Sequence, residues 1–392
     1  MTTYHFKAQA LTPIHVGCGC EIEPTEFLIK DEKLVQFNTA QVIENLPPEA
    51  KERFIAFTDR ADLKEIQNFL RHHLDVERHG ISTIDTAAGF RSEYAVKASN
   101  PNNQFRVDMM PRNPHTGQVY VPGSSIKGAI RTAVVNYFTN LDPETRPVVH
   151  EHVKNERIDN KKGQALEENA LNCLKKDTHK DIFRLIHVRD AVLPHSSTRI
   201  DRAVNSGAKG IQMWVERIKS RADQATPPEF IVSIRMDTMA MKHSSVKKNL
   251  GRTISIDTLF DACNRFYWGR MVAEGNRFDE KASDGASWKS IEKTFPLGRL
   301  ENEKVLSINP SVSLWNDPEF RNRCMLLRIG HFSHFESLSV DELRRGWNVK
   351  KKEPITDIGS TRTRCVMEKG KDAMPFGWLM LTLDQDKDVK AY

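Results

Sequence analysis

The feature that most constrains the fold is a tight turn at Pro122–Gly123, which joins a short apolar strand to an amphipathic helix. Proline and glycine together favour such a turn, and the hydroxyl of Ser124 or Ser125 is well suited to cap the helix that follows. The apolar residues after the turn recur at three- and four-residue spacing: Ile126, Ala129, Ile130, Ala133 and Val134. This spacing predicts a helix over residues 125–138 with one face in the core.

The start of this helix also carries groups that bind phosphate. Gly123 permits close approach of a ligand, Ser124 and Ser125 supply hydroxyls, and Lys127 and Arg131 lie four residues apart beside the apolar face. Unpaired amides and the helix dipole attract anions to such a position. Local chemistry leaves two interpretations open, a phosphate-binding turn and a well-capped helix with a solvated basic edge.

The hydrophobic pattern elsewhere predicts an α+β protein. Alternating apolar and polar residues predict strands at residues 4–10 and 230–236. The apolar-rich segments 182–193, 325–329 and 378–383 are also predicted to be strands. A hairpin is predicted around Asp31–Glu32, and helices are predicted within residues 39–79 and after Ser255. Residues 80–117 are rich in Asn, Pro and Arg and are predicted to be irregular.

Two rounds of the strand–helix–strand pattern, each interrupted by insertions, indicate two ferredoxin-like halves. We expect an N-terminal domain over residues 1–195, with helical insertions near 39–80 and 141–181. Residues 196–392 form the expected C-terminal domain, a degenerate ferredoxin-like half.

Composition excludes several classes of protein. The chain has 392 residues and a formal net charge of +6, which permits a polyanionic partner without requiring one. No apolar run approaches the roughly 18 residues of a membrane helix, and residues 1–10 read as a strand, not as a signal peptide. Six dispersed cysteines fit a reducing cytosol, and only Cys18 and Cys20 are close together. We therefore predict no metal site, no cofactor and no membrane partner.

Several segments together resemble the RAMP superfamily, the RNA-binding subunits of CRISPR effector complexes. Residues 122–132 resemble the helix-opening motif of these proteins, and residues 11–17 resemble the segment after their first strand. Ile200-Asp201-Arg202 with Glu216-Arg217 resembles a thumb hairpin, the β-hairpin that type III members project from the fold. Residues 327–330, and 375–378 with their Pro-x-Gly-Trp pattern, resemble the carboxy-terminal glycine loop and final strand. Length and this last pattern are most similar to the terminal subunit of type III-A (Csm) complexes.

The resemblance implies a non-enzymatic subunit that binds the 3′ end of the guide RNA and supports guide maturation and antiviral RNA targeting. Its implied partners are guide RNA, target RNA and the backbone and small subunits of the same ribonucleoprotein, in a prokaryotic cytoplasm. The positions implied to contact RNA are His15, Gly123, Ser124, Ser125, Lys127, Arg131, Arg202, Arg328 and Arg362.

Three alternatives remain open. A metal-independent, guide-processing endoribonuclease of the same superfamily would use His15 as general base, although a single histidine after a strand is more often structural. A backbone subunit would form homo-oligomeric filaments on RNA. An unrelated enzyme with a phosphate-bearing ligand would use the turn at residues 122–132 without binding RNA.

Overall fold

The chain was analysed as a computed structural model. The residues that the structure describes are 1–100, 105–140, 146, 162–171, 178–206, 212–221, 223, 226–244, 246, 253–279, 318–341, 346–348, 352–355, 362–366 and 373–384.

The described strands are β1 (Thr2–Ala10), β2 (Glu21–Ile22), β3 (Phe27–Lys30), β4 (Lys33–Phe37), β5 (Gly80–Thr86), β6 (Val107–Asp108), β7 (Tyr120–Val121), β8 (Ile186–Val188), β9 (Ala191–Val192), β10 (Thr198–Ser206), β11 (Gln212–Ile218), β12 (Glu229–Met236), β13 (Cys324–Arg328), β14 (Gly346–Asn348), β15 (Glu353–Ile355), β16 (Arg362–Val366), β17 (Ala373–Pro375) and β18 (Trp378–Leu383). The described helices are α1 (Thr39–Glu44), α2 (Pro48–Asp59), α3 (Leu63–His73), α4 (Val76–His79), α5 (Ala88–Lys97), α6 (Gly123–Asn140), α7 (Lys162–Leu171), α8 (Thr238–Lys242), α9 (Ile256–Asp279) and α10 (Pro318–Arg323).

A five-stranded antiparallel sheet, ordered β13-β18-β1-β12-β8, forms the centre of the fold. The order of β1, α6, β8, β12, α9 and β18 along the chain, with β18-β1-β12-β8 in space, is the ferredoxin-like arrangement. The predicted α+β class and ferredoxin-like fold are therefore confirmed. Strands from both ends of the chain complete this one unit, because β1 pairs with both β12 and β18. The expected division at residue 195 stays a prediction.

Helices α6 and α9 pack against each other and cover one face of this sheet. Alternate residues of β1, Phe6, Ala8 and Ala10, are buried in the same apolar cluster as Ile126 and Ile130 of α6. The apolar face predicted for this helix is thus confirmed. The alternate side chains of β1 and β12 point to the opposite face, where they are half-buried or exposed.

A nine-stranded mixed sheet contains the thumb hairpin formed by β10 and β11. Strand β10 also pairs in parallel with β5 and antiparallel with β16, so the hairpin is joined to strands from both sequence halves. Helices α1 to α4 lie within residues 39–80, where the sequence predicted helices, while their role as an insertion stays a prediction.

Two expectations from the sequence were wrong in detail. Residues 80–117 contain β5, α5 and β6, whose buried aromatic residues Phe90 and Tyr94 form a separate core with Phe105. The predicted strand over 182–193 begins with a 3₁₀ turn at Ile182–Leu185, in which the Phe183 amide donates to the Asp181 side chain, and continues as two short strands. Most of the expected insertion at 141–181 lies outside the described residues, apart from α7 and the 3₁₀ turn at Thr178–Lys180. Among the described helices, none has the length and apolar character needed to cross a membrane.

Candidate nucleic-acid interface

The turn before α6 is held against strand β8. A Cβ atom on Gly123 would lie 2.2 Å from the carbonyl oxygen of Val188, so this approach requires glycine. The Gly123 amide donates to Oδ1 of Asp190 at 2.7 Å, and the Ser125 amide donates to the Pro122 carbonyl at 3.0 Å. Asp190 therefore caps the helix from a neighbouring segment, and the expectation that Ser124 or Ser125 supplies the cap was wrong.

The outer side of the same turn remains at the surface. Ser124 and Gly128 are exposed, and Ser125 and Lys127 are half-buried. Within the described part of the chain, neither serine hydroxyl makes a hydrogen bond and Lys127 makes no ion pair. Burial lowers the pKa of Lys127, and the nearby Arg131 guanidinium lowers it further while Asp181 opposes the change. The turn thus offers hydroxyls and one cation to a ligand, but fewer free amides than the sequence implied.

Arg131 has a different environment from Lys127. Its Nε donates to Glu167 at 3.0 Å, one terminal nitrogen donates to Asp181 at 2.7 Å, and the guanidinium lies 5.1 Å from the Phe183 ring centroid. Burial opposes the charge, but the two carboxylates outweigh it and raise the pKa of Arg131. This cation holds α6 against α7 and the segment before β8.

Arg202 lies on the first strand of the thumb hairpin. Its guanidinium is hydrogen-bonded to Glu93 of α5 and lies 4.7 Å from the ring centroid of Trp214 on β11. The side chain remains 30% exposed. The aromatic ring and the carboxylate hold the guanidinium in one orientation at the hairpin surface.

His15 lies inside the protein, beneath the carboxy-terminal glycine loop. Its Nδ1 donates to the backbone carbonyl of Glu216 at 2.6 Å, and its own carbonyl accepts from the His331 amide at 2.9 Å. Gly330 has a φ of +95°, and a Cβ there would lie 2.4 Å from the His15 carbonyl oxygen. Burial lowers the pKa of His15 and keeps the imidazole neutral. The segments that carry the resemblance near residues 15 and 330 thus meet directly.

Sequence reasoning placed no second titratable ring beside His15, but the structure places His331 there. The two ring centroids are 6.2 Å apart in an edge-to-face arrangement, with His331 exposed and His15 only 2% exposed. No sequence signal identified this pair, because the two residues are more than 300 positions apart.

Arg328 and Arg362 are buried, not exposed. Arg328 is hydrogen-bonded to Glu274 at 2.9 Å and to the Phe376 carbonyl at 3.1 Å. Arg362 forms ion pairs with Glu274, at 2.9 Å, and with Glu336. We call these four charged side chains, Glu274, Arg328, Glu336 and Arg362, the buried ion network. Each is at most 3% exposed, so we leave both arginines out of the candidate RNA surface, which corrects the expectation.

An arginine and a histidine lie next to each other on the sheet face opposite the helices. Arg235 of β12 is directly opposite His187 of β8 in the antiparallel register. Their neighbours Ile186, Ile234 and Met236 all point into the core. The alternation along residues 230–236 predicted that Arg235 faces away from the core, but nothing in the sequence placed it beside His187. Among the described residues, no group of three or more His, Cys, Asp or Glu side chains is arranged to hold a metal ion.

The chain belongs to the RAMP superfamily, whose family profile matches residues 7–355. A protein of Methanocaldococcus jannaschii described as "CRISPR system Cms protein Csm5" is 27% identical over 406 aligned positions, which cover 97% of this chain and 89% of the relative. A Streptococcus thermophilus protein with the same description is 29% identical over 142 positions, covering 34% of this chain and 38% of that protein.

Solved structures share the fold. A chain in the cryo-EM structure of a Csm–crRNA–target RNA ternary complex of a type III-A CRISPR-Cas system superposes with a TM-score of 0.64 at 18% identity. That match covers 98% of this chain and all of the other. The crystal structure of T. onnurineus Csm5 gives a TM-score of 0.58 at 17% identity, covering 95% and 99% of the two chains.

Proposed function

We propose that this chain is a subunit of a type III-A CRISPR effector complex that binds the guide RNA near its 3′ end. In this role it supports guide maturation and RNA-guided antiviral targeting in the prokaryotic cytoplasm. The observation that carries the proposal is the correspondence over nearly the whole length with a relative described as Csm5. A match of this extent includes the thumb hairpin and both segments of the glycine loop, not only the common ferredoxin-like core.

The geometry favours a grip on the sugar–phosphate backbone. Ser124, Ser125 and Lys127 lie on the outer side of a turn that Gly123 holds against the sheet. Backbone contacts of this kind accept any base sequence, as a protein that carries variable guides requires. Arg202, fixed over Trp214 on the thumb hairpin, supplies a second contact. Guide RNA, target RNA and the backbone and small subunits of the complex are the proposed partners.

Catalysis is not part of the proposal. His15 is committed through Nδ1 to a backbone carbonyl and is almost fully buried, which suits a residue that fixes a loop. Incubation of the full chain with repeat RNA in EDTA should therefore leave the RNA intact. A discrete cut that disappears in both His15→Ala and His331→Ala would instead establish the endoribonuclease alternative, which the neighbouring His331 makes worth testing.

Reconstitution of the complex with and without this chain tests the proposed role. With the chain present, ultraviolet crosslinks from it should map to the 3′ portion of the guide, and guides should have defined 3′ ends. Without it, guides should become longer or heterogeneous at that end. Crosslinks confined to the 5′ portion, or identical guides in both preparations, would contradict the proposal. Several copies of the chain per complex would indicate a backbone subunit.

A further inference from the structure

A cavity of about 380 Å³ opens at the surface between strand β5, the turn before β7 and the segment before β10. Strand β5 pairs with β4 along its length but with β10 only at Asp85 and Thr86. Residues 81–84 therefore line the cavity with one backbone edge that is not hydrogen-bonded to a described strand. The volume lies within the range of roughly 300–1,000 Å³ that small organic ligands occupy.

Groups that donate and accept hydrogen bonds dominate the wall of this cavity. Thr83 and His195 are exposed and Gln118 is half-buried, and none of these three side chains is hydrogen-bonded to another described residue. Among the described residues that line the cavity, Arg112 is the one lysine, arginine or acidic residue, and its guanidinium already binds both carboxylate oxygens of Glu216. Such a wall suits a neutral group with donors and acceptors, for example a nucleobase, better than a phosphate.

A two-stranded ribbon formed by β7 and β9 leads from this cavity to the start of α6. At the cavity, the Leu193 amide donates to the Val119 carbonyl at 2.9 Å, and both residues line the wall. At the other end, β7 runs directly into the turn at Gly123, so the two sites are about 13 Å apart along an extended strand. Tyr120 and Val192 are register partners on the ribbon, and their neighbours along both strands point into the core. These two side chains therefore face away from the core, with Tyr120 half-buried and Val192 52% exposed.

We propose that the cavity binds one unstacked base of the RNA strand that the α6 turn holds, and that Tyr120 and Val192 support the nucleotides between these two positions. The inference rests on the proposed function, because the turn at Ser124 and Lys127 supplies the phosphate contacts from which the strand continues along the ribbon. An aromatic ring at the surface stacks on a base of any sequence. The backbone edge of β5 and the polar side chains of the wall then bind the hydrogen-bonding edge of the base.

A peptide strand added to β5 is the other occupant that a free sheet edge attracts. The free edge covers only residues 81–84, which is shorter than the roughly 5–6 residues of a usual strand. The ribbon also connects the cavity to the turn that carries the proposed phosphate contacts. Both observations favour RNA over a peptide.

The test places the fluorescent adenine analogue aminopurine at successive positions of a single-stranded RNA, because its fluorescence rises when the base leaves the stack. With the full chain at saturation, we expect a strong rise at one position. Thr83→Phe, which fills the cavity from an exposed strand position, and His195→Ala should both reduce that rise. His115→Ala is the matched control, because His115 is an exposed histidine of the neighbouring turn that does not line the cavity.

Affinity measurements test the ribbon separately. Tyr120→Ala should weaken RNA binding by about fivefold or more, which corresponds to the loss of one base–aromatic stack. Tyr120→Phe keeps the ring and should keep the affinity. Equal losses in Tyr120→Phe and Tyr120→Ala, or no loss in either, would contradict stacking on this side chain.

The outcomes separate this inference from the proposed function. If the wild type binds RNA but no position shows raised fluorescence, or if the rise is the same in Thr83→Phe, His195→Ala and His115→Ala, the cavity is not a base site and the proposed function stands. Failure of the wild-type chain and of its reconstituted complex to bind RNA would overturn both. If Thr83→Phe binds RNA normally but no longer assembles with the other subunits, the occupant is a peptide of a partner subunit and the inference is wrong.

Discussion

Two groups of cations in this protein have opposite environments. Arg328 and Arg362 are enclosed with two glutamates in the buried ion network, whereas Lys127 and Arg235 are half-buried and form no ion pair with a described residue. Lys127, Arg328 and Arg362 were all expected from the sequence to contact RNA, whereas Arg235 was not. The difference comes from two distant residues, Glu274 on α9 and Glu336 on a 3₁₀ turn, which neutralise the first group.

The buried ion network also joins the two sheets. Arg328 ends β13 of the five-stranded sheet, and Arg362 begins β16, which pairs with the thumb strand β10. Glu274 contacts both arginines and also accepts the indole N–H of Trp378 at 3.0 Å. The burial of these charges therefore fixes the thumb sheet relative to the ferredoxin-like core.

The largest expected effect comes from breaking this network. Arg362→Met should lower the free energy of unfolding by about 3–5 kcal/mol, because two buried carboxylates would then share one arginine. Urea unfolding of the full chain measures the change. RNA affinity, measured well below the melting temperature, should stay within about twofold of wild type.

A charge-balanced variant serves as the control for Arg362→Met. Adding Glu336→Gln removes the excess negative charge and should recover part of the lost stability. If Arg362→Met keeps its full stability but loses RNA binding, the prediction is wrong and Arg362 belongs to the RNA-binding surface.

The next effect concerns pH. Burial, with Arg328 and Arg362 nearby, lowers the pKa of His334 from 6.5 to about 3. Below pH 6.5 the unfolded chain takes up a proton that the folded protein cannot accept, so stability is lost as pH falls. Between pH 6.5 and pH 5 this histidine should remove about 2 kcal/mol of stability.

Comparison of His334→Asn with His72→Asn isolates this effect. His72 is an exposed histidine on α3, and its replacement by asparagine is the matched control. Urea unfolding between pH 5 and pH 7 measures the slope. An equally steep loss of stability in His334→Asn and in wild type would show that the network does not control this pKa.

The contrast between the buried arginines and the cations that form no ion pair with a described residue shows which features of the structure the sequence could predict. Periodicity found β1, β12, β18 and the buried face of α6 because each reflects contacts within one element. Motif resemblance found the thumb hairpin and the glycine loop. Neither approach distinguished a buried arginine from an exposed one, because the pairing with Glu274 and Glu336 depends on how separate helices and strands pack together, which no pattern within one element shows. The same limit applied to Asp190, which caps α6 from 67 positions away.

A smaller difference in stability is expected between variants of Arg131 and Lys127, the two cations of the α6 turn. Arg131→Ala removes two ion pairs and a contact with Phe183, and should destabilise the chain by about 1 kcal/mol, since its side chain is partly solvated. In the sequence the two cations look alike, because both lie beside the apolar face and outside it. Thermal unfolding of Arg131→Ala beside Lys127→Ala measures the difference, and equal melting temperatures would contradict it.

The smallest effect on stability is expected at Lys127. Because this side chain forms no ion pair with a described residue and burial disfavours its charge, Lys127→Gln should change the free energy of unfolding by at most about 0.5 kcal/mol. Affinity for single-stranded RNA should nevertheless fall, with a shallower salt slope, whereas Lys64→Gln on the exposed side of α3 should alter neither. Loss of stability without loss of RNA affinity would place Lys127 with the buried arginines. Loss of RNA affinity without loss of stability would mean that bound RNA stabilises the charge of Lys127, which has no ion-pair partner among the described residues.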